Sequence, residues 1–172
     1  LDFRAICKTT AAKFHYSLPY IKRAQIEDVE PCLWFGDHAP VTSKKIVQAI
    51  LKRSCFIEEY LCSAVERPTG SSWLSSRKWH MAGGCQLCCF GNSNVTFRFR
   101  LGEKCDWIYI DYACRQKLVA VCEFYAFIRN LLDGLYDSQP DHSLYNQNLG
   151  LKAKMFQARV GMNLQPAFKD YE

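Results

Sequence analysis

The chain has 172 residues, 49% of them hydrophobic and 14% aromatic, which is enough for one packed domain and too little for several. A single packed domain is expected over residues 1–161, with 162–172 as a tail. No apolar run is long enough to span a bilayer and no secretory signal opens the chain, so a membrane-spanning or secreted protein is not expected. The first residue is not methionine, as expected of a piece of a longer protein. The net charge of +5 falls short of a strongly basic nucleic-acid binder but suits an anionic membrane surface or an acidic protein partner. Ten cysteines, irregularly spaced and mostly in apolar contexts, point to a reducing compartment with free or metal-bound thiols.

Leu1, Phe3, Ile6 and Cys7 have spacings compatible with a short helix, broken by Ser17-Leu-Pro. Tyr20 to Glu30 forms a second short helix, ending before Pro31 because the residue preceding proline avoids the helical region. Cys32 to Phe35 is an apolar anchor, and Gly36 to Pro40 a turn. Thr42 or Ser43 caps a helix running through Arg53, with Ile46, Val47, Ile50 and Leu51 as its buried stripe. Cys55 to Leu61 reads as a strand, in which Glu58-Glu59 has no obvious partner and is most simply a strand edge. Glu66 to Ser76 is a loop rich in Gly, Ser and Pro.

The stretch from Cys85 to Tyr136 organises the rest. Cys-Gln-Leu-Cys-Cys-Phe-Gly precedes a strand in which Val95, Phe97, Phe99 and Leu101 face a core and Thr96, Arg98 and Arg100 face water. Gly102 to Asp106 is a hairpin loop, and Trp107 to Ile110 the return strand. Asp-Tyr-Ala-Cys then opens a helix that is apolar on most of its faces from Leu118 to Leu132, the pattern of a central helix. A close cysteine pair, a hairpin and a helix with a thiol in its first turn have the order of a treble-clef zinc module. The fold class is therefore α+β: a small treble-clef-like hairpin and a long central helix, with additional helices packed on it.

The candidate zinc ligands are Cys85 and Cys88 from the knuckle and Asp111 and Cys114 from the helix start, where a spacing of three puts both on one side. Asp111 is also a good N-cap, and a full cap competes with metal ligation. Cys105 in the hairpin loop is the substitute ligand if Asp111 only caps. The metal-free reading makes these cysteines small core residues; Cys89 and Cys122 fit that reading best. A site with four protein ligands is closed and structural, with no open position for catalysis. No phosphate-binding glycine loop or nucleophile elbow is present, and His15, His38, His80 and His142 stand isolated in loop-like contexts. No catalytic residues are assigned, and an enzyme is not expected.

Beyond the long helix, Gly134 to Pro140 closes it, and Asp141 or Ser143 caps a last helix to about Val160, with Gly161 as its stop. Leu144, Tyr145, Leu149, Phe156 and Val160 would pack back on the long helix, and Gly150 invites a kink or break.

Several blocks together carry a family resemblance: Glu27-Asp-Val-Glu-Pro-Cys-Leu, Phe99-Arg-Leu-Gly-Glu, Cys114-Arg-Gln-Lys-Leu-Val-Ala-Val-Cys-Glu-Phe-Tyr-Ala-Phe-Ile-Arg-Asn, and Lys154-Met-Phe-Gln-Ala-Arg-Val-Gly. In this order the chain, from Ile21 to Gly161, resembles the C-terminal region of the Rabin/GRAB guanine-nucleotide exchange factors and their fungal secretory counterpart. The fungal versions also carry a Cys-x-x-Cys before the arginine-rich strand and a second one opening the helix; here Asp111 stands where that second pair begins. The resemblance implies a role in polarised exocytosis. Such proteins activate a secretory-vesicle Rab GTPase through a long N-terminal coiled coil, and this chain has no heptad run. It implies a non-catalytic regulatory and targeting module, cytoplasmic and peripheral on secretory vesicles. Its partners would be vesicle membranes, phosphoinositides and the exocyst or other trafficking proteins, with the Rab contacted by regions outside this chain.

Basic residues beside indoles fit that role. Trp73, Arg77, Lys78 and Trp79 cluster before the knuckle, and Arg98 and Arg100 share one strand face, a pattern suited to anionic headgroups. A zinc-knuckle nucleic-acid-binding module is the alternative, disfavoured by the modest charge; nucleic acid is not an expected partner.

Overall fold

The computed structural model describes residues 18–60, 84–90 and 94–162. The order is α1 (Pro19–Ala24), a π turn (Gln25–Val29), α2 (Glu30–Cys32), α3 (Ser43–Leu51), β1 (Phe56–Glu59), β2 (Val95–Arg100), β3 (Ile108–Asp111), α4 (Tyr112–Leu132) and α5 (Asp141–Val160). The fold is α+β, with helices around a three-stranded antiparallel sheet in the order β1-β2-β3. The short helix expected at the N-terminus and the loop over Glu66 to Ser76 lie outside the described residues.

The first helix departs from the expected stop before Pro31. It continues to Cys32, with Glu30 in the right-handed helical region directly before the proline. In a regular helix the proline ring would press on the carbonyl four residues back and leave it without a donor. The π turn immediately upstream widens the backbone there: the Glu30 amide donates to Gln25 O, five residues back. Side chains brace the turn, with Arg23 to Glu27 at 2.8 Å and Gln25 to Glu30 at 3.0 Å. The helix thereby delivers Val29, Cys32 and Leu33 to the core, followed by Phe35, while Trp34 points outward.

In α3, Thr42 is the cap, its hydroxyl accepting from the Lys45 amide at 3.4 Å. Ile46, Val47, Ala49 and Ile50 are buried as the pattern requires, and Leu51 is half-buried. Arg53, in the left-handed region at φ 56°, ends the helical path and turns the chain into β1.

β2 is the central strand. Phe56 lies opposite Arg100 and Glu58 opposite Arg98 on one side; Arg98 lies opposite Tyr109 and Phe99 opposite Ile108 on the other. Between Val95 and Phe97 the register with β3 slips by a residue, a bulge at Thr96. Phe99 and Ile110 are fully buried and form the sheet's contribution to the core.

Helix α4 is the central element, about 31 Å long. Leu118, Val121, Phe124, Ile128 and Leu131 are fully inaccessible, and the sheet, α3 and α5 pack around it. Asp133 and Gly134, the latter at φ 78°, close it.

Helix α5 is continuous through Gly150, so the expected kink is absent. Neither expected residue caps it: Asp141 is its first helical residue, and Pro140 occupies the cap position with no side-chain bond. Gly161, at φ 75°, stops it as read from the sequence. The packing stripe also differs. Leu144 is buried as expected, but it is joined by Asn148, Met155, Leu151 and Ala158, while Tyr145, Leu149, Phe156 and Val160 face outward. The helix carries two apolar stripes, and only one can meet α4.

Candidate functional site

The knuckle, β3 and the start of α4 bring together the four residues singled out from the sequence. The Sγ atoms of Cys85, Cys88 and Cys114 and one carboxylate oxygen of Asp111 all lie within 4.8 Å of one another. Cys85 Sγ is 3.5 Å from Cys114 Sγ, and Cys88 Sγ is 3.6 Å from Asp111 Oδ2. The cluster could hold a metal ion.

Local structure explains the convergence. Cys85 and Cys88 flank Leu87, which is fully buried and plugs the knuckle into the core. Cys89 adopts the left-handed conformation at φ 57°, turning the chain away after the second ligand position, and its thiol donates to His38 O at 3.7 Å. Gln86 fastens the knuckle to β3 at two points. Its amide donates to Tyr109 O at 2.9 Å, and its side-chain Oε1 accepts from the Tyr109 amide at 2.6 Å. β3 then ends at Asp111, which starts α4.

Asp111 resolves the competition between cap and ligand by using both oxygens. Oδ1 accepts from the Cys114 amide at 2.8 Å, the N-cap bond of α4, while Oδ2 faces the thiols. Cys105 is exposed at the hairpin tip near Gly102, outside the cluster, and does not replace Asp111 there.

The thiols differ in acidity. The hydrogen bond from the Cys114 thiol stabilises the Cys85 thiolate and lowers its pKa to about 6 despite burial. Burial pushes Cys88 up to about 11. Cys114 is raised still further, by its bond to Cys85 and by burial. The arrangement favours one thiolate, on Cys85, beside two thiols kept protonated, Cys88 by burial and Cys114 by its bond to Cys85 together with burial. A second thiol contact lies outside the cluster: hydrogen bonding between Cys55 and Cys122 lowers the former and, with burial, raises the latter. Sequence spacing gave no sign of that pair, since 66 residues and the whole sheet separate them.

Arg98 and Arg100 do share one face of β2, and both guanidinium groups lie over the Trp107 ring, at 4.4 and 4.5 Å. Arg98 also approaches the Tyr60 ring at 5.7 Å and Arg100 the Phe56 ring at 5.0 Å. Glu58, without an obvious partner in the sequence, is the partner of Arg98: Nε donates to Oε1 at 2.6 Å and Nη2 meets the same oxygen. Arg100 Nη1 donates to Glu103 O at 2.9 Å. The outer sheet face is thus an aromatic and guanidinium lattice with one carboxylate built in. Trp73, Arg77, Lys78 and Trp79 lie outside the described residues. No helix among the described residues is long and apolar enough to cross a membrane.

The sequence is similar to known proteins along most of its length. The Rabin 8-like C-terminal domain family matches residues 2–162. The Rab guanine nucleotide exchange factor sec2 of Aspergillus fumigatus is 28% identical over 158 residues, covering 87% of this chain and 21% of that protein. The guanine nucleotide exchange factor for Rab-3A of Rattus norvegicus is 26% identical over 151 residues, covering 87% of this chain and 36% of its own length. The sec2 exchange factor of Schizosaccharomyces pombe is 28% identical over 151 residues, covering 83% of this chain and 25% of itself. The chain therefore spans between about a fifth and a little over a third of these relatives. With a match over nearly its whole length, the chain belongs to the Rabin 8-like C-terminal domain family of Rab exchange factors.

Proposed function

We propose that this chain is the regulatory and targeting module of a Rab guanine-nucleotide exchange factor acting in vesicle-mediated exocytosis, a binding domain and not the exchange catalyst. The observation that carries the reading is the family match over residues 2–162, with relatives whose names state exchange on Rab proteins. The secretory Rab would be engaged by regions outside this chain. The module would be cytoplasmic and peripheral on secretory vesicles. Its partner surface would be the outer sheet face, where Arg98 and Arg100 lie on Trp107 and suit phosphoinositide headgroups or an acidic segment of an exocyst-type protein. Trp73, Arg77, Lys78 and Trp79 would extend that surface.

The cluster of Cys85, Cys88, Asp111 and Cys114 would hold a structural zinc. Zinc–sulfur and zinc–oxygen bonds of about 2.0–2.3 Å place tetrahedral ligands roughly 3.3–3.8 Å apart. The separations of 3.5 and 3.6 Å across the cluster match such edges. Three soft thiolates favour zinc over calcium or magnesium. Bound there, zinc would supply only charge neutralisation and cross-linking of the knuckle to α4.

Two measurements test the function. A nucleotide-release assay with a secretory Rab should show only the intrinsic rate in the presence of this chain; clear acceleration overturns the non-catalytic reading. Co-sedimentation with phosphoinositide-containing vesicles should weaken in Arg98→Glu/Arg100→Glu and strengthen in Glu58→Gln, which releases Arg98 from its carboxylate. Unchanged binding in both folded variants removes this face from the proposal. A zinc-knuckle nucleic-acid module is the second reading, supported by the aromatic and arginine lattice, which also suits stacked bases. Salt-sensitive retention of single-stranded oligonucleotides at physiological ionic strength would favour it.

A further inference from the structure

Cys55 and Cys122 meet thiol to thiol outside the ligand cluster, in a contact that neither the metal reading nor the outer arginine lattice uses. Ordered elements hold both sides of it. Arg53, at φ 56°, turns the chain after α3, and Ser54 is then tied down at three points. Its amide donates to Ala49 O at 2.9 Å, and its hydroxyl reaches Ala49 O at 3.3 Å and Leu101 O at 2.9 Å. Cys55 therefore follows a residue fastened to both α3 and the end of β2. Cys122 comes from the middle of α4, beside Val121 and one turn after Leu118, both fully inaccessible.

Other thiols of the chain are satisfied differently. Cys32 donates to Lys117 O and Cys89 to His38 O, as a thiol that only packs would do. Cys55 and Cys122 are turned to each other at the edge of the core. Both are half-buried, so a small oxidant can reach them. They are also unequal. The bond from Cys122 lowers the Cys55 pKa, while that bond and burial raise Cys122. Cys55 is thus the nucleophile of the pair and Cys122 the resolving thiol.

We propose that Cys55 and Cys122 form a redox-sensitive pair, closed to a disulfide by a peroxide and reopened by glutathione. The Cys55 sulfur attacks one peroxide oxygen, the O–O bond breaks, and Cys55 becomes a sulfenic acid with release of one water. The Cys122 sulfur then attacks the Cys55 sulfur. The S–S bond forms, the S–O bond breaks, and the hydroxyl leaves with the Cys122 proton as a second water. Two thiols lose two electrons and two protons, and hydrogen peroxide is reduced to water. Two glutathione thiols reverse the step by exchange, leaving oxidised glutathione. The cross-link ties the α3–β1 junction to α4 and encloses residues 56–121, the whole sheet and the knuckle among them. Closing so long a loop restricts the unfolded chain strongly.

The test treats the reduced 172-residue chain with hydrogen peroxide, blocks the remaining thiols with N-ethylmaleimide, and maps the peptides without reduction. A Cys55–Cys122 link should form both with and without zinc, because neither thiol belongs to the cluster. The melting temperature should rise by about 5–10 °C and fall back after glutathione. Cys122→Ser should show neither link nor rise, and should leave a Cys55 sulfenic acid that dimedone labels. Mapping of the native chain reads the pair even if that variant does not fold. Oxidised peptides that lack the 55–122 link overturn the proposal. So does a link that forms only after unfolding in urea, or a folded Cys122→Ser chain whose melting temperature rises as much as the native chain's.

Discussion

Asp111 is the residue on which the two halves of the site depend, because one carboxylate both caps α4 and faces three thiols. Substitution can separate the roles. Asparagine is as good an N-cap as aspartate, so Asp111→Asn should leave the metal-free melting temperature nearly unchanged. Zinc affinity should fall at least about tenfold, since even outer-shell changes cost that much. Asp111→Ala should lose both, with about 1 kcal/mol from the cap alone. Competition titration with a chromophoric chelator, alongside thermal melts with and without metal, distinguishes the three cases.

The unequal thiols give the metal affinity a defined pH slope. Near neutral pH Cys85 is already a thiolate, its pKa lowered to about 6, while Cys88, raised to about 11, and Cys114, raised further, still hold their protons. Binding must release about two protons, so affinity should rise about 100-fold per pH unit between pH 6.5 and 8. Below the Cys85 pKa a third proton joins and the slope should steepen. A flat profile would mean that the thiols do not ligate. At this scale the four cluster residues were legible, because spacing within a knuckle and within a first helical turn is local information. That Cys105 stands apart was not legible, since its distance depends on where the hairpin tip points.

Among the elements, α5 separates what pattern reading can and cannot reach. Its existence, its length and its Gly161 stop follow from local chemistry. Which stripe packs does not, because residues 144, 151 and 155 and residues 145, 149 and 156 are equally apolar lines on the same cylinder. The register of α4 beneath the helix decides, and that is a tertiary fact. The first helix fails differently: the rule that helices stop before proline is sound, but the π turn over Gln25–Val29 makes room for Pro31. Gly150 offers a direct check on helix energetics. A Cβ there would meet nothing within 4 Å, and its backbone is helical. Gly150→Ala should therefore stabilise the domain by about 1 kcal/mol, visible as an upward shift in urea midpoint. Gly161→Ala, forced into φ 75°, should destabilise by a similar amount.

For the molecule as a whole, the net charge of +5 overstates what the outer sheet face can offer an anion. Glu58 takes up much of the Arg98 charge, and both guanidiniums lie over the Trp107 ring. Binding through this face should therefore be less salt-sensitive than a free basic patch, and Trp107→Ala should weaken it about as much as loss of either arginine. Vesicle co-sedimentation at low and physiological salt reads both effects. The central position of α4 and the α+β class were legible, since an almost uniformly apolar helix can only sit inside. The aromatic and arginine lattice was half legible. Alternation put the arginines together, but β1 and Trp107 reach them only through strand pairing.

Among the described residues the sheet has two outer strands, and they differ in what lies along their margins. β1 carries Glu58 and Glu59, and charges along a strand margin discourage another chain from pairing with it. β3 has no such charges before Asp111; its margin is occupied by Gln86, which satisfies both the amide and the carbonyl of Tyr109 as a neighbouring strand would. Gln86 lies between Cys85 and buried Leu87, so the knuckle that carries the ligand cluster also carries the cover of this strand. A change that displaced Gln86 would uncover Ile108 to Ile110, a template for intermolecular strands. Loss of the ligand cluster should show itself first as turbidity and amyloid-dye fluorescence at temperatures where the helices still give their full circular dichroism.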